Sequence, residues 1–267
     1  MRFGCLATLL AAFLTFAAPP GQAQERIGVL VLHGKSPGSQ NDPYSGQFRS
    51  ALANDGMITL MPDMPWSARR YIDGDWDQAM AEIDRHVKSL RDKGATRIVI
   101  AGHSMGCPAA MGYAVKYGTV DALVLLAPGH VPDSYYNFPP LRAVHDSIDE
   151  ARRLVAAGQG DTRRDFEDSN QGTSIKVRTS ARNYLSYFDP NSDAEMSRTA
   201  ARIPAQIPVL WVIGDKDPMF RRGRDYAFSK LPANPKSRYL EVAATHLTTP
   251  VVGTAEALAW IRAAVQP

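Results

Sequence analysis

The chain has 267 residues, of which 45% are apolar and 21% charged, with a formal net charge of +3. That composition supports one sizeable core and excludes wholesale disorder. Lys and Arg are scattered rather than clustered, leaving no basic block for nucleic acid and no acidic tail for a cationic partner.

The N-terminus has its own character. Met1-Arg2 leads an apolar run to Ala18, followed by Pro19-Pro20-Gly21-Gln22-Ala23. A short basic start, an apolar stretch and small residues before a cut form the pattern of a secretory signal peptide, residues 1–23. Cleavage after Ala23 fits the small pair Gly21 and Ala23; cleavage after Ala18 and an uncleaved anchor are the alternatives. The run is short for a membrane span, which needs about 20 apolar residues. An exported protein, periplasmic or secreted, is therefore expected, with no stable membrane insertion once the leader is removed. Of the two cysteines, Cys5 and Cys107, cleavage removes the first, so no intramolecular disulfide is expected.

Residues 24–267 read as a single domain. Short apolar, β-rich runs occur at residues 27–32, 57–61, 97–101, 122–127, 209–214 and 237–242. Near-continuous apolar strands suit a parallel sheet covered on both faces. Between the second and third runs, Trp76, Met80, Ile83, Val87 and Leu90 recur at helical spacing and are stopped by Gly94. His86 and Lys88 fall off that stripe and are expected to face solvent. The alternation predicts an α/β fold, doubly wound, with a mostly parallel sheet flanked by helices. Residues 129–203 break the rhythm, with no strand-like apolar run. Pro139-Pro140 opens a charged helical stretch ended by Gly158, and a polar segment leads to Tyr184, Tyr187 and Phe188. This segment is expected to be a cap-like insertion over the sheet edge, with a long surface excursion as the alternative.

The motif richest in chemistry is Gly102-His103-Ser104-Met105-Gly106, directly after the strand at 97–101 and before a helix. This is G-x-S-x-G in a strand–turn–helix setting. The sharp turn holds the Ser104 hydroxyl above the sheet, and the helix start offers the Met105 N–H to a developing oxyanion. A serine hydroxyl needs a base, and the base needs an orienting carboxylate. Asp215 and Asp217 follow the fifth run and His246 follows the sixth, all beyond the carboxyl ends of strands.

Taken together, Gly102–Gly106, Gly214-Asp215-Lys216-Asp217-Pro218 and His246 resemble the α/β-hydrolase superfamily of serine esterases and lipases from about Ile27 to the C-terminus. The resemblance implies Ser104 as nucleophile and His246 as base. Its G-x-x-D pattern implies Asp217 as the acid in preference to Asp215. The pair His33-Gly34 closing the first strand implies a second oxyanion donor from the backbone near Lys35. His130 and His145 both precede Asp217 and break the family order.

The expected activity is hydrolysis of an ester-like acyl bond in a small-molecule substrate, through an acyl-enzyme. A thioesterase or amidase on the same residues and a non-catalytic ligand-binding protein of the same fold are the alternatives. Tyr184, Tyr187 and Phe188 are candidates for an apolar acyl pocket, with Trp66 and Tyr71 beside them; ordinary packing is the competing role. His103 either touches substrate or packs the turn, His33 reads as a turn residue, and Cys107 as a small buried hydrophobe. Asp63 either lines the cleft or ends its strand. With no metal-ligand spacing, G-x-G-x-x-G or phosphate loop in the sequence, no cofactor or metal is expected.

Overall fold

The computed structural model describes residues 25–35 and 37–265. The signal peptide expected at 1–23 lies outside the described residues. The strand β1 (Ile27–Leu32) is followed by helix α1 (Pro43–Asn54), strand β2 (Ile58–Leu60) and helix α2 (Trp76–Asp92). Strand β3 (Arg97–His103), helix α3 (Gly106–Tyr117) and strand β4 (Ala122–Leu126) follow. Helices α4 (Pro132–Asn137) and α5 (Arg142–Ala156), strands β5 (Arg163–Asn170) and β6 (Thr173–Ser180), and helices α6 (Ala181–Phe188) and α7 (Met196–Thr199) make up the next segment. The chain closes with strand β7 (Val209–Gly214), helix α8 (Gly223–Tyr226), strand β8 (Arg238–Val242) and helices α9 (Thr249–Val252) and α10 (Thr254–Val265).

Local chemistry sets these boundaries. Asp42 caps α1 by accepting the Ser45 N–H at 2.8 Å, with Pro43 at the first helical position. Asp75 and Gln78 form a reciprocal capping box at the start of α2. All six predicted strands form, within a residue or two of the expected ends. They build one sheet in the order β2-β1-β3-β4-β7-β8, every neighbouring pair parallel. The pleat sends alternate apolar residues to opposite faces. Leu30, Leu32, Ile98, Ile100, Leu123 and Leu125 pack against α2, α3 and the segment between β4 and β7. Val29, Val31, Val99, Ala101, Val124 and Leu126 pack against α1 and α10. The fold is therefore α/β with helices on both faces, as expected. On α2, Lys88 is exposed and His86 half-buried.

The order of the strands positions the site. The chain leaves β1 toward β2 on one side, and β3 lies on the other. The loops after β1 and β3 thus diverge at a topological switch point, where open α/β sheets form their crevices.

The segment between β4 and β7 holds a hairpin that the expectation of no strand there left out. Strands β5 and β6 pair antiparallel from Arg163↔Ser180 to Asn170↔Thr173. Gln171 and Gly172 close the hairpin, with φ of 51° and 80°. Two consecutive positive φ values match the right-handed twist of the flanking strands. Phe166, Asp168, Val177 and Thr179 point inward, while Arg164, Asp165, Lys176 and Arg178 stay exposed. With so few apolar residues on the inner face, composition resembles a polar loop.

Candidate active site

The turn between β3 and α3 is compressed to its limit. A Cβ on Gly102 would lie 2.3 Å from the backbone of Gly106, and one on Gly106 would lie 2.2 Å from the Leu32 carbonyl oxygen. Only glycine fits at either position. Ser104 sits between them with a φ of 52°, a region that non-glycine residues seldom occupy and that marks stored strain at functional turns. Its N–H donates to the Leu126 carbonyl at 3.1 Å, and its own carbonyl accepts from Cys107 at 3.0 Å. The side chain is thereby held out above the carboxyl ends of the strands. Gly34 and Gly129 keep the neighbourhood open. A Cβ on Gly34 would come within 3.2 Å of the Ser104 Cβ, and one on Gly129 within 3.0 Å of the Ser104 Oγ.

Two loops bring the other residues in. Asp217 follows β7, its N–H turned back onto the Gly214 carbonyl at 3.0 Å. Its Oδ1 accepts from the Met219 N–H at 2.7 Å and its Oδ2 from His246 Nδ1–H at 2.6 Å. His246 Nε2 then accepts from the Ser104 hydroxyl at 2.9 Å. The Asp217 side chain is wholly buried and the His246 side chain 12% exposed. Asp215 does not reach the imidazole: its Oδ1 accepts from the Ala244 N–H at 3.1 Å and ties the β7 loop to the β8 loop. Thr248 and Thr249 brace the turn around Thr245 that presents His246.

Four other histidines are engaged elsewhere. His33 donates from Nδ1 to the Gly34 carbonyl and accepts the Met64 N–H at Nε2. His103 donates from Nε2 to the His246 carbonyl at 3.0 Å. His130 donates to the Tyr187 carbonyl, and His145 stacks on Tyr136. Cys107 is buried, and burial pushes its thiol well above the usual range, which disfavours the reactive thiolate. Asp63 pairs with Arg69, Trp66 donates to the His33 carbonyl, and Tyr71 donates to Asp168.

No backbone hydrogen bond takes up the N–H of Met105 or of Lys35 among the described residues. The Lys35 side chain turns inward. Its ammonium lies 2.6 Å and 2.8 Å from the two carboxylate oxygens of Asp168 on β5. Burial pulls the Lys35 pKa down, but Asp168 and Tyr135 outweigh it and leave the ammonium above the ordinary lysine value.

Two clefts meet at Ser104 and His246. One of about 300 Å³ is the more polar of the two, with Ser39, Asn41, Asp42, Tyr44, Asn170 and Gln171 among its lining residues. The other, of about 240 Å³, is walled by Val131, Tyr135, Pro218 and Met219, with Ser134 and Arg222 also lining it. Lys35, Asn170 and Gln171 line both, so the hairpin tip borders the two spaces together.

Tyr184, Tyr187 and Phe188, expected as an acyl pocket, line neither cleft. All three are fully buried. Tyr184 stacks between Phe166 and Phe188 at 4.5 and 4.2 Å, and Tyr187 meets Trp76 edge-on at 5.2 Å. Helix α6 presents Tyr184 to the hairpin and Tyr187 to α2, while Phe188 packs behind His130 and Tyr135 of the cleft wall. Lining by Asn170 and Gln171, and the buried Asp168, were absent from the sequence reading. The available signal was Gln171-Gly172 between two eight-residue segments, β5 and β6, with inward residues alternating.

No curated protein matches the chain in sequence. Its fold is similar to that of a metagenome-derived lipolytic enzyme of the LipS and LipT pair, with 15% identity, 90% of this chain and 94% of that one covered, and a TM-score of 0.59. Est1E from Butyrivibrio proteoclasticus is similar at 20% identity, with 91% and 90% covered and a TM-score of 0.60. A thermostable carboxyl esterase from Bacillus coagulans is similar at 13% identity, with 91% and 92% covered and a TM-score of 0.58. A family model matches residues 29–258, spanning the sheet and every loop described above, and the chain belongs to the alpha/beta hydrolase family.

Proposed function

We propose that this hydrolase is a serine esterase that cleaves small carboxylic esters through an acyl-enzyme on Ser104. The observation that carries the reading is the unbroken hydrogen-bond chain from Ser104 through His246 to Asp217. His246 Nε2 takes the hydroxyl proton as Ser104 Oγ attacks the ester carbonyl. Asp217 holds the ring in the tautomer that leaves Nε2 free, and stabilises the imidazolium. The tetrahedral oxyanion is received by the N–H groups of Met105 and Lys35, one such donor being worth about 2.7–4 kcal/mol. His246 returns the proton to the leaving alcohol, and water repeats the sequence to release the acid. The smaller, more apolar cleft takes the acyl group, and the polar one the alcohol. Volumes of about 300 and 240 Å³ favour short substituents over long lipid chains.

The test is covalent labelling with a fluorophosphonate, read by peptide mass. Wild-type protein is expected to carry the adduct on Ser104 and to hydrolyse short p-nitrophenyl esters. Ser104→Ala is expected to lose both while keeping the wild-type unfolding midpoint. An adduct that persists in the alanine variant, or an unlabelled wild type, overturns the reading.

A further inference from the structure

The side chain of Lys35 makes contacts that the reaction just outlined does not use. Its ammonium has three N–H groups and more acceptors than that: both oxygens of Asp168, the Tyr135 hydroxyl at 3.1 Å and the Ser169 carbonyl at 3.2 Å. The rings of Tyr135 and Phe188 lie 5.1 and 5.6 Å from it. Tyr71 closes the arrangement by donating to Asp168 Oδ2. The two charged side chains are 6% and 0% exposed. They join parts of the chain far apart in sequence, the loop after β1 and strand β5 of the hairpin.

A pair buried this deeply is a poor device for stability. Replacing such pairs by apolar residues of similar size is often neutral or stabilising, because desolvation cancels the attraction. What a buried pair does supply is direction. Both partners must stay in register, since either one alone is left as an uncompensated charge. Here the side chain held in register hangs from the same Cα as an N–H assigned to the oxyanion. The preceding Gly34 already lies against Ser104, and the following turn carries a bond from the Gly38 N–H to the Lys35 carbonyl at 2.9 Å. Oxyanion donors lose effect when displaced by about half an ångström.

We propose that Asp168 is a positioning residue: by gripping the Lys35 ammonium it fixes the Lys35 N–H over Ser104, making the hairpin part of the catalytic apparatus. The proposal rests on the acyl-transfer reading above, and extends it to a segment that supplies no reacting group.

Three full-length variants test it: Asp168→Asn, Tyr71→Phe, and Lys35→Met combined with Asp168→Leu. The double variant removes the pair without stranding a charge. Each is assayed for kcat and KM on a short p-nitrophenyl ester. Affinity is also measured for a trifluoromethyl ketone, which adds to the serine as an oxyanion, and for the alcohol product, which does not. Asp168→Asn and the double variant are expected to lose about ten- to a hundred-fold in kcat, somewhat less than deletion of a whole donor. KM and alcohol affinity stay within about three-fold, while the ketone weakens in step with kcat/KM. Tyr71→Phe moves the same way by about two- to five-fold, the scale of one lost hydrogen bond. A folded double variant with wild-type kcat and ketone affinity overturns the proposal, as does a rise in KM alone. Should Asp168→Asn fail to fold, the double variant decides. Wild-type labelling at Ser104, read alongside, separates the two ideas: its absence sinks the acyl-transfer reading, and its presence with unchanged variants sinks only the role of Asp168.

Discussion

Two buried imidazoles beside the site have a ring nitrogen with no hydrogen-bond partner among the described residues, Nδ1 of His103 and Nδ1 of His130. Burial, with the nearby His246 adding to it, holds His103 down to about 4. Burial, with the Lys35 charge adding to it, holds His130 down to about 3. An unfolded histidine binds its proton near pH 6.5, so between 6.5 and these lower values the unfolded chain carries more protons than the native one. The stability that these two neutral rings contribute is therefore fully present above pH 6.5 and is lost as the pH drops toward 4. Denaturant midpoints at pH 7 and pH 4.5 check this: His103→Gln, which does not titrate, is expected to show a shallower loss than wild type. Equal losses in the two proteins would remove His103 as the cause. The same scale shows what a bare sequence can disclose. Ser104 and Asp217 were readable because each follows a strong apolar run, and His246 because it follows the next strand in the order that the strands set. Asp168 was not, because it lies among Arg163, Arg164, Asp165 and Glu167, and a charge in such company reads as solvated until its inward direction is known.

The hairpin and the helix behind it divide the work of the segment between β4 and β7. The tip reaches the clefts, whereas α6 supplies Tyr184 and Phe188 to an aromatic stack with Phe166 of the hairpin, and Tyr187 to Trp76 of α2. Truncating a ring in that stack opens a cavity and costs about 3–5 kcal/mol. Phe188→Ala is accordingly expected to lower the thermal midpoint while leaving the ranking of acetyl, butyryl and hexanoyl esters unchanged. Met219→Trp, in the wall of the smaller cleft, is expected to depress the longer acyl groups selectively, at about 0.8 kcal/mol per CH₂ denied burial. Initial rates across the ester series distinguish the two; a changed ranking in a folded Phe188→Ala would return the aromatics to the pocket. The central strands β1, β3, β4 and β7 were legible because burial on both faces demands unbroken apolar runs. Strands β5 and β6 bury one face only, and that face includes the polar Asp168 and Thr179, so the period-two signal was faint.

At the scale of the whole molecule, one sheet places every group of the proposed mechanism at a single end. No helix among the described residues is long and apolar enough to cross a membrane. We propose that the chain is exported and released by cleavage after Ala23. Intact-mass measurement of protein recovered from outside the cytoplasm is expected to show Gln24 as its first residue, and recovery with Met1–Ala23 attached would replace release with anchoring. Either outcome meets the same geometry. Because the strands are parallel, β1 begins at the end of the sheet remote from Ser104. The residues leading into β1 are fastened there: Glu25 pairs with Arg97 at 2.7 Å, and the Arg26 N–H donates to Thr96 Oγ1 at 2.9 Å. A tether entering at Glu25 thus attaches to the floor of the enzyme while both clefts open from its roof. Held on a surface by its leader, the protein would face its substrates outward, and cutting the leader would change where the enzyme goes without changing what its active site can reach.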